Sequence, residues 1–316
     1  IYDKTIYQTA GLPSDYGTGT RESNLKSNFD TGVTVEFWLK KQSFLTASTQ
    51  KEVIFDLWNN ELSSSTSYGR LTIELTGAAS GSPFLITAQS GTTATSIFTS
   101  SIGSSPTTSS LSSWHHYALR FYNSGSNFVS KLYVDGRLDD TKTYAASSLG
   151  EITTSAMLGR IGALMTSPSG SSAIAGDGTL SASIDDFRFW KTNRNARQIG
   201  TNYFVNVGGG ANTDVSNADL GVYYKFNEGV TNNNSVDSIV LDYAGRVTNA
   251  IWTGYDTSSR NTGSAMVIAG AASREYKEPV VRRNHPNFIL LQNNLQVSGS
   301  SYDNDNDASF INYAPS

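Results

Sequence analysis

The sequence predicts an all-β fold: a two-sheet antiparallel sandwich of the jelly-roll kind with an extended C-terminal segment. Three observations support it. Short runs in which apolar and polar residues alternate recur along the chain, as in VTVEFWL at 33–39, and this period of two is typical of half-buried strands. Loops rich in Gly, Ser, Thr and Asn separate the runs. Only the segment 195–200 has a convincing helical pattern, with Asn193 or Asn195 as its N-cap.

The first clear strand is 33–39, which places Val33, Val35, Phe37 and Leu39 on one face. Similar runs follow at 52–58, 70–75, 84–87, 114–122, 128–134, 156–161, 182–190 and 220–226. We expect the segments rich in Ser, Thr and Gly to be exposed loops of the sandwich, at 63–67, 92–113 and 167–178. Many short strands joined by such loops indicate a sandwich or jelly roll.

The stretch 114–140, WHHYALRFYNSGSNFVSKLYVDGRLDD, contains two of the three histidines of the chain. Because successive side chains of a strand point to opposite faces, His115 and His116 point apart and cannot bind one metal ion together. Asp135-Gly136 matches a tight type I′ hairpin turn. The stretch therefore predicts a β-meander in which the histidines are structural.

Composition excludes several classes of function. The formal net charge is −4 and charged residues make up 16% of the chain, so the concentrated basic face of a nucleic-acid-binding protein is not expected. The chain has no run of about 18 apolar residues, so a membrane-spanning helix is not predicted. The absence of cysteine excludes disulfides and a thiol nucleophile. Because the chain begins with Ile1 and has no methionine before Met157, we expect it to be a fragment of a longer polypeptide.

Four strand motifs occur in order: Val35-Glu-Phe-Trp-Leu39, Trp114-His-His-Tyr-Ala-Leu119, Leu132-Tyr-Val-Asp-Gly-Arg-Leu138 and Ile184-Asp-Asp-Phe-Arg-Phe-Trp190. Together they resemble the concanavalin A-like, laminin G-like jelly-roll family. The later 220–228 and 241–245 are similar to the closing segment beside such domains. The resemblance covers residues 1–255, and we expect residues 256–316 to be a linker followed by an extended C-terminal arm or the start of a further domain.

The family includes lectins, adhesion modules, appendages of secreted enzymes and virion domains, so fold alone does not give the function. Residues 276–287 and 297–303 resemble segments that follow laminin G-like domains in structural proteins of T4-like tailed bacteriophages. This resemblance implies a virion structural or adhesion module (tail, fibre or capsid decoration) that contacts other virion subunits and a host-surface glycan. It would be assembled in the host cytoplasm. The alternative is a carbohydrate-binding module of a secreted bacterial protein.

No catalytic residues are expected. The Glu-x-Asp-x-x-Glu signature of jelly-roll glucanases, which supplies the paired carboxylates of a retaining mechanism, is absent, since Glu36 stands alone on its strand. A G-x-S-x-G nucleophile elbow is also absent. The chain is therefore expected not to be an enzyme.

Related jelly rolls often hold a structural calcium ion near the strand that carries the Ile184 motif. By that resemblance Asp185, Asp186 and Asp242 are the candidate oxygen ligands. The alternative is that these acids pair with Arg188 or accept backbone N–H bonds. Asp303 to Asp307 imitates the start of an EF-hand loop, but Ala308 stands where Gly is needed, which favours a solvated tail.

A glycan-binding surface needs aromatic rings that stack on sugars and amide or carboxylate groups that hydrogen-bond to them. Trp58, Asn59 and Tyr68 lie near loops and are the candidates. The alternative is that these aromatic residues belong to the core. In the C-terminal segment, Val280-Val281 and 288–291 are apolar, and we expect a neighbouring subunit to cover them.

Overall fold

The computed structural model describes residues 2–4, 6–7, 20–21, 24–42, 52–76, 82–93, 96–152, 156–165, 178–207, 219–244 and 248–260. The C-terminal arm predicted from 256 onwards, with its apolar runs at 280–281 and 288–291 and the acidic run 303–307, lies outside these residues except for 256–260. Among the described residues, no helix reaches the length and apolar character needed to cross a membrane.

The described strands are, in chain order, β1 Tyr2–Lys4, β2 Ile6–Tyr7, β3 Thr20–Arg21, β4 Val33–Lys40, β5 Glu52–Trp58, β6 Gly69–Leu75, β7 Phe84–Ser90, β8 Ile97–Ile102, β9 His115–Ser124, β10 Asn127–Val134, β11 Arg137–Tyr144, β12 Ala156–Ile161, β13 Ser183–Trp190, β14 Leu220–Tyr224, β15 Ile239–Val240 and β16 Ala250–Ile251. The α-helices are α1 Ala196–Asn202 and α2 Asn234–Asp237, and short 3-10 turns lie at Ser110–Ser112 and Thr257–Ser259.

Two six-stranded antiparallel sheets form the sandwich, which confirms the predicted fold class. The first sheet has the order β1-β12-β5-β6-β7-β8, and the second has the order β11-β10-β9-β4-β13-β14. Two-stranded ribbons pair β15 with β16 and β2 with β3. In the second sheet, β4 lies between β9 and β13, so strands far apart in sequence are neighbours.

The predicted loop 92–113 is partly wrong, because it contains strand β8. Three of its six residues are Ser or Thr, yet Phe98 and Ile102 point inward and are almost fully buried. The pairing of β8 with β7 runs from Ile97–Gln89 to Ile102–Phe84. An edge strand with a polar outer face needs only these few apolar residues, so composition alone did not reveal it.

The core lies between the inner faces of the two sheets. Aromatic rings of the two sheets pack against each other there. The ring centroids of Phe55 in β5 and Phe187 in β13 are 5.0 Å apart, and those of Phe84 in β7 and Tyr117 in β9 are also 5.0 Å apart. These side chains are fully or almost fully buried, and each contributes about 1.5–3 kcal/mol by leaving water.

The outer face of the second sheet is also covered, by α1 and the residues that follow it. Asn195 is the N-cap of α1 and forms a reciprocal capping box with Gln198, as one of the two predicted caps. Ile199 packs against Ala118 and Tyr133 on this face. The indole N–H of Trp38 donates to the Tyr203 carbonyl at 3.3 Å. Strand β4 is therefore buried on both sides.

Beneath α1, the carboxylate of Glu36 contacts two arginine side chains. Its carboxylate lies 3.2 Å from Nε of Arg194 and 3.6 Å from Nη1 of Arg188, and it accepts from the Trp190 indole at 3.1 Å. Burial alone would raise the pKa of Glu36, but Arg194 and Arg188 outweigh it and hold the pKa below its usual value. The carboxylate is therefore ionised and binds β13 and the start of α1 to β4.

We expect Trp38→Ala to lower the free energy of unfolding by about 3–5 kcal/mol, because the ring is 2% exposed and closes the space under α1. Urea unfolding measures the loss. Trp114→Ala is the matched control, since Trp114 is only partly buried, and its loss should be clearly smaller. Equal stability of the Trp38 variant and the parent would show that this ring is not part of the packing.

Candidate functional site

The β10–β11 hairpin ends in the predicted turn. Asp135 and Gly136 have φ of +47° and +80°, the two left-handed conformations that a type I′ turn requires. Gly136 is needed for a second reason. A Cβ there would lie 2.8 Å from the Tyr203 ring and 3.0 Å from Cα of Gly200. The turn therefore fits directly against the C-terminal end of α1.

Asp135 anchors the adjacent histidines by two different bonds. Its Oδ2 lies 2.6 Å from Nδ1 of His115, and its Oδ1 accepts the backbone N–H of His116 at 2.9 Å. Burial would raise the pKa of Asp135, but the bonds from His115 and His116 hold it below its usual value. The carboxylate is thus ionised and fixed in place.

The two histidine side chains point to opposite sides of β9, as the alternation indicates. His115 is partly exposed, and its hydrogen bond to Asp135 raises its pKa. His116 is buried between the rings of Trp38 and Tyr203, at centroid distances of 5.8 and 5.7 Å. Burial lowers the pKa of His116 to about 4. The pKa values of the two adjacent histidines are therefore shifted in opposite directions.

A β-bulge in β11 contains or adjoins two further acidic residues, Asp139 and Asp140. Leu132 pairs with Asp140 but Tyr133 pairs with Leu138, so Asp139 is the extra residue and leaves the regular alternation. Asp139 accepts the backbone N–H groups of Ser104 at 2.7 Å and Ser105 at 3.0 Å. Asp140 accepts the N–H of Gly103 at 2.9 Å. The 103–105 loop is therefore held by two carboxylates.

Hairpin, loop and helix end line an open pocket of about 450 Å³, which we call the rim pocket. Its size lies within the range of small-ligand sites. The lining residues are Val134, Asp135, Arg137, Leu138 and Asp139 of the hairpin, with Ser105 and Tyr203. Leu138 is 52% exposed. Arg137 is exposed and has no hydrogen-bond or ion-pair partner within the described part of the chain.

The three predicted glycan-binding residues lie together on the β5–β6 hairpin, away from the rim pocket. Asn59 is fully buried. Its amide donates to the Ser67 carbonyl at 2.7 Å and accepts from the Gly69 N–H at 3.0 Å, so it holds the loop closed. Tyr68 is 8% exposed, whereas Trp58 is half-buried and donates to the Glu61 carbonyl at 2.9 Å. The Trp58 ring is the best placed of the three to meet a sugar.

The predicted calcium ligands have other partners. Asp242 accepts three backbone N–H groups, from Tyr223, Ala244 and Thr248, at 2.9–3.0 Å. Asp186 lies 2.7 Å from Nη2 of Arg188, and Asp185 accepts the N–H of Asp186 at 2.9 Å.

These contacts engage several of the oxygens that a calcium ion would need. Oδ2 of Asp186 pairs with the Arg188 guanidinium, while its Oδ1 is buried without a hydrogen-bond partner among the described residues. Backbone N–H groups donate to both oxygens of Asp242. Among the described residues, no three His, Cys, Asp or Glu side chains gather as a metal site. Structural calcium at Asp185, Asp186 and Asp242 stays a prediction.

Comparison with known proteins gives the family. Residues 14–200, more than half of the chain, match the family described as the concanavalin A-like lectin/glucanases superfamily. The chain belongs to this family, as its strand motifs predict. No curated protein matches the chain.

Several solved structures are similar to this chain at low identity. A candidate carbohydrate-binding protein of Bacteroides ovatus is 13% identical with a TM-score of 0.42, over 79% of this chain and 55% of that one. A SAP-like pentraxin of Limulus polyphemus is 12% identical with a TM-score of 0.36, over 63% of this chain and 80% of that one. Tailspike protein 2 of an Escherichia coli O157:H7 bacteriophage is 12% identical with a TM-score of 0.36, over 71% of this chain and 29% of that one. The chain thus spans about half of the Bacteroides protein, and likenesses this distant carry no argument about function.

Sequence reasoning located the hairpin of the rim pocket but did not identify it as a candidate site. The Asp135-Gly136 turn was predicted, and Arg137 and Leu138 follow it directly, so the hairpin tip was visible in the sequence. Tyr203 and Ser105 were not identified, because neither lies in a motif and both reach the hairpin only through the tertiary fold.

The opposite pKa shifts of the two histidines can be tested by NMR. We expect the His115 imidazole to titrate above pH 6.5 and the His116 imidazole near pH 4. At pH 5.5 the first is then protonated and the second neutral. The variants His115→Asn and His116→Asn assign the signals. Two titrations near pH 6.5 would contradict both the Asp135 bond and the burial of His116.

Proposed function

We propose that the chain is a glycan-binding adhesion module that performs no chemistry. The observation that carries this proposal is the rim pocket, where two anchored carboxylates, an aromatic ring and an exposed leucine converge with an arginine that has no partner among the described residues. Such a combination suits a sugar, whose hydroxyls donate and accept hydrogen bonds and whose C–H faces pack on apolar surface.

Rigidity of the pocket supports binding. The 103–105 loop is held by Asp139 and Asp140, and the hairpin tip is held by Asp135 and the close approach of Gly136 to α1. A ligand that enters a site fixed in advance does not pay for ordering it. The proposed site is therefore arranged for recognition before any ligand arrives.

The same contacts argue against catalysis. A glycosidase needs one carboxyl group with a raised pKa as its acid, whereas the pKa of Asp135 is lowered and Asp139 is occupied by the 103–105 loop. His115 and Asp135 look like two members of a hydrolytic triad. However, His115 has no hydrogen bond to a nucleophile within the described residues, and the Ser105 hydroxyl bonds to Asp139.

For the biological setting, we propose a virion structural or adhesion module of a tailed phage, in contact with other virion subunits and a host-surface glycan. Its support is the resemblance of residues 276–287 and 297–303 to phage structural proteins. The alternative is a carbohydrate-binding module of a secreted bacterial protein. Flanking tail, fibre or capsid genes would favour the virion, while a hydrolase domain in the same polypeptide would favour the alternative.

Glycan screening of the whole chain tests the proposed activity. We expect retention on a subset of immobilised glycans, without release of reducing sugar on long incubation. A Tyr203→Ala variant should lose binding, because the pocket loses its ring, whereas Trp58→Ala should keep it. Loss of glycan binding in the Trp58 variant alone would show that the site lies on the β5–β6 hairpin instead. No binding to any glycan would defeat the proposal.

A further inference from the structure

The charges that face the rim pocket limit which sugars it can hold. Asp135 and Asp139 supply two negative charges, and Arg137 supplies one positive charge. Asp140 pairs with Lys142 at 3.0 Å, so this pair adds no net charge. His115 offsets Asp135 only when it is protonated. The pocket is therefore negative or neutral, and it does not become net positive at any pH where both carboxylates are ionised.

An acidic sugar would meet this pocket unfavourably. Its carboxylate could pair with Arg137, but it would stand among two carboxylates of like charge, and like charges in a partly desolvated site repel. The bonds from His115 and His116 hold the pKa of Asp135 below its usual value, so this carboxylate does not easily take up a proton to relieve the repulsion.

A neutral sugar fits the hydrogen-bonding groups better. A carboxylate offers about four acceptor positions, and Asp135 uses two of them, for His115 and His116. Arg137 offers donors with no partner in the described residues. An acceptor and a donor side by side match neighbouring hydroxyls, each of which can give one hydrogen bond and accept another. Leu138 and the Tyr203 ring provide the apolar surface for the C–H face of the sugar.

We infer that the rim pocket binds a neutral sugar residue and discriminates against sialic and uronic acids. This inference rests on the proposed function and adds the class of ligand. Asp135 as hydrogen-bond acceptor and Arg137 as donor select the sugar, and the second carboxylate, Asp139, supplies the rejection of anions. Binding should then depend little on ionic strength, since no net charge is neutralised.

The test compares neutral glycans with the same glycans capped by sialic acid or oxidised to uronic acids. We expect the neutral member of each matched pair to bind at least about tenfold more tightly. Arg137→Ala should weaken neutral binding by about tenfold, the loss typical of one charge-assisted hydrogen bond. Arg197→Ala removes an equally exposed arginine from α1, outside the pocket lining, and should leave affinity unchanged.

The possible failures are distinguishable. Preference for the acidic glycans, lost in Arg137→Ala, would overturn the neutral class while the glycan-binding function stands. Glycan binding unchanged in Arg137→Ala would remove the rim pocket as the site. Binding of no glycan at all would overturn the proposed function as well. Circular dichroism of both arginine variants confirms that each is folded.

Discussion

A buried carboxylate, Glu36, holds two arginines on the outer face of the second sheet, and the position of α1 depends on it. Arg194 contacts Glu36 through Nε at 3.2 Å and donates from Nη2 to the Gln198 carbonyl inside the helix at 2.9 Å. Removing one partner of such a buried group leaves an uncompensated charge, which typically costs about 3–5 kcal/mol. The helix is therefore fixed to the sheet, and Tyr203 at its C-terminal end is fixed with it.

The rim pocket is built from this frame and from one hairpin. Tyr203 supplies one wall because Trp38 and Gly136 meet the end of α1. Ser105 of the 103–105 loop also lines the pocket, and Asp139 at the bulge in β11 holds this loop. Charged groups thus serve here mainly as structural anchors. Among the charged side chains that line the rim pocket, Arg137 has donors with no partner in the described residues.

Alternation along the chain was enough to predict most strands, the Asp135-Gly136 turn and the opposite directions of His115 and His116, because these follow from local backbone geometry. The packing of α1 and Tyr203 over Trp38 was not predictable, because these residues lie more than 150 positions after Trp38 in the sequence. The bulge at Asp139 has no sequence signature. Resemblance suggested calcium at Asp185, Asp186 and Asp242, but nearby N–H and guanidinium donors occupy these acids, and their positions appear only in the folded chain.

Mapping the bound glycan onto the backbone by NMR tests the central claim most directly. The whole chain, labelled with nitrogen-15, would be titrated with the neutral glycan that binds best. We expect the largest amide shifts at Ser105, Val134 to Asp139 and Tyr203. Shifts centred on Trp58 to Tyr68, or spread over residues far from the rim pocket, would contradict it.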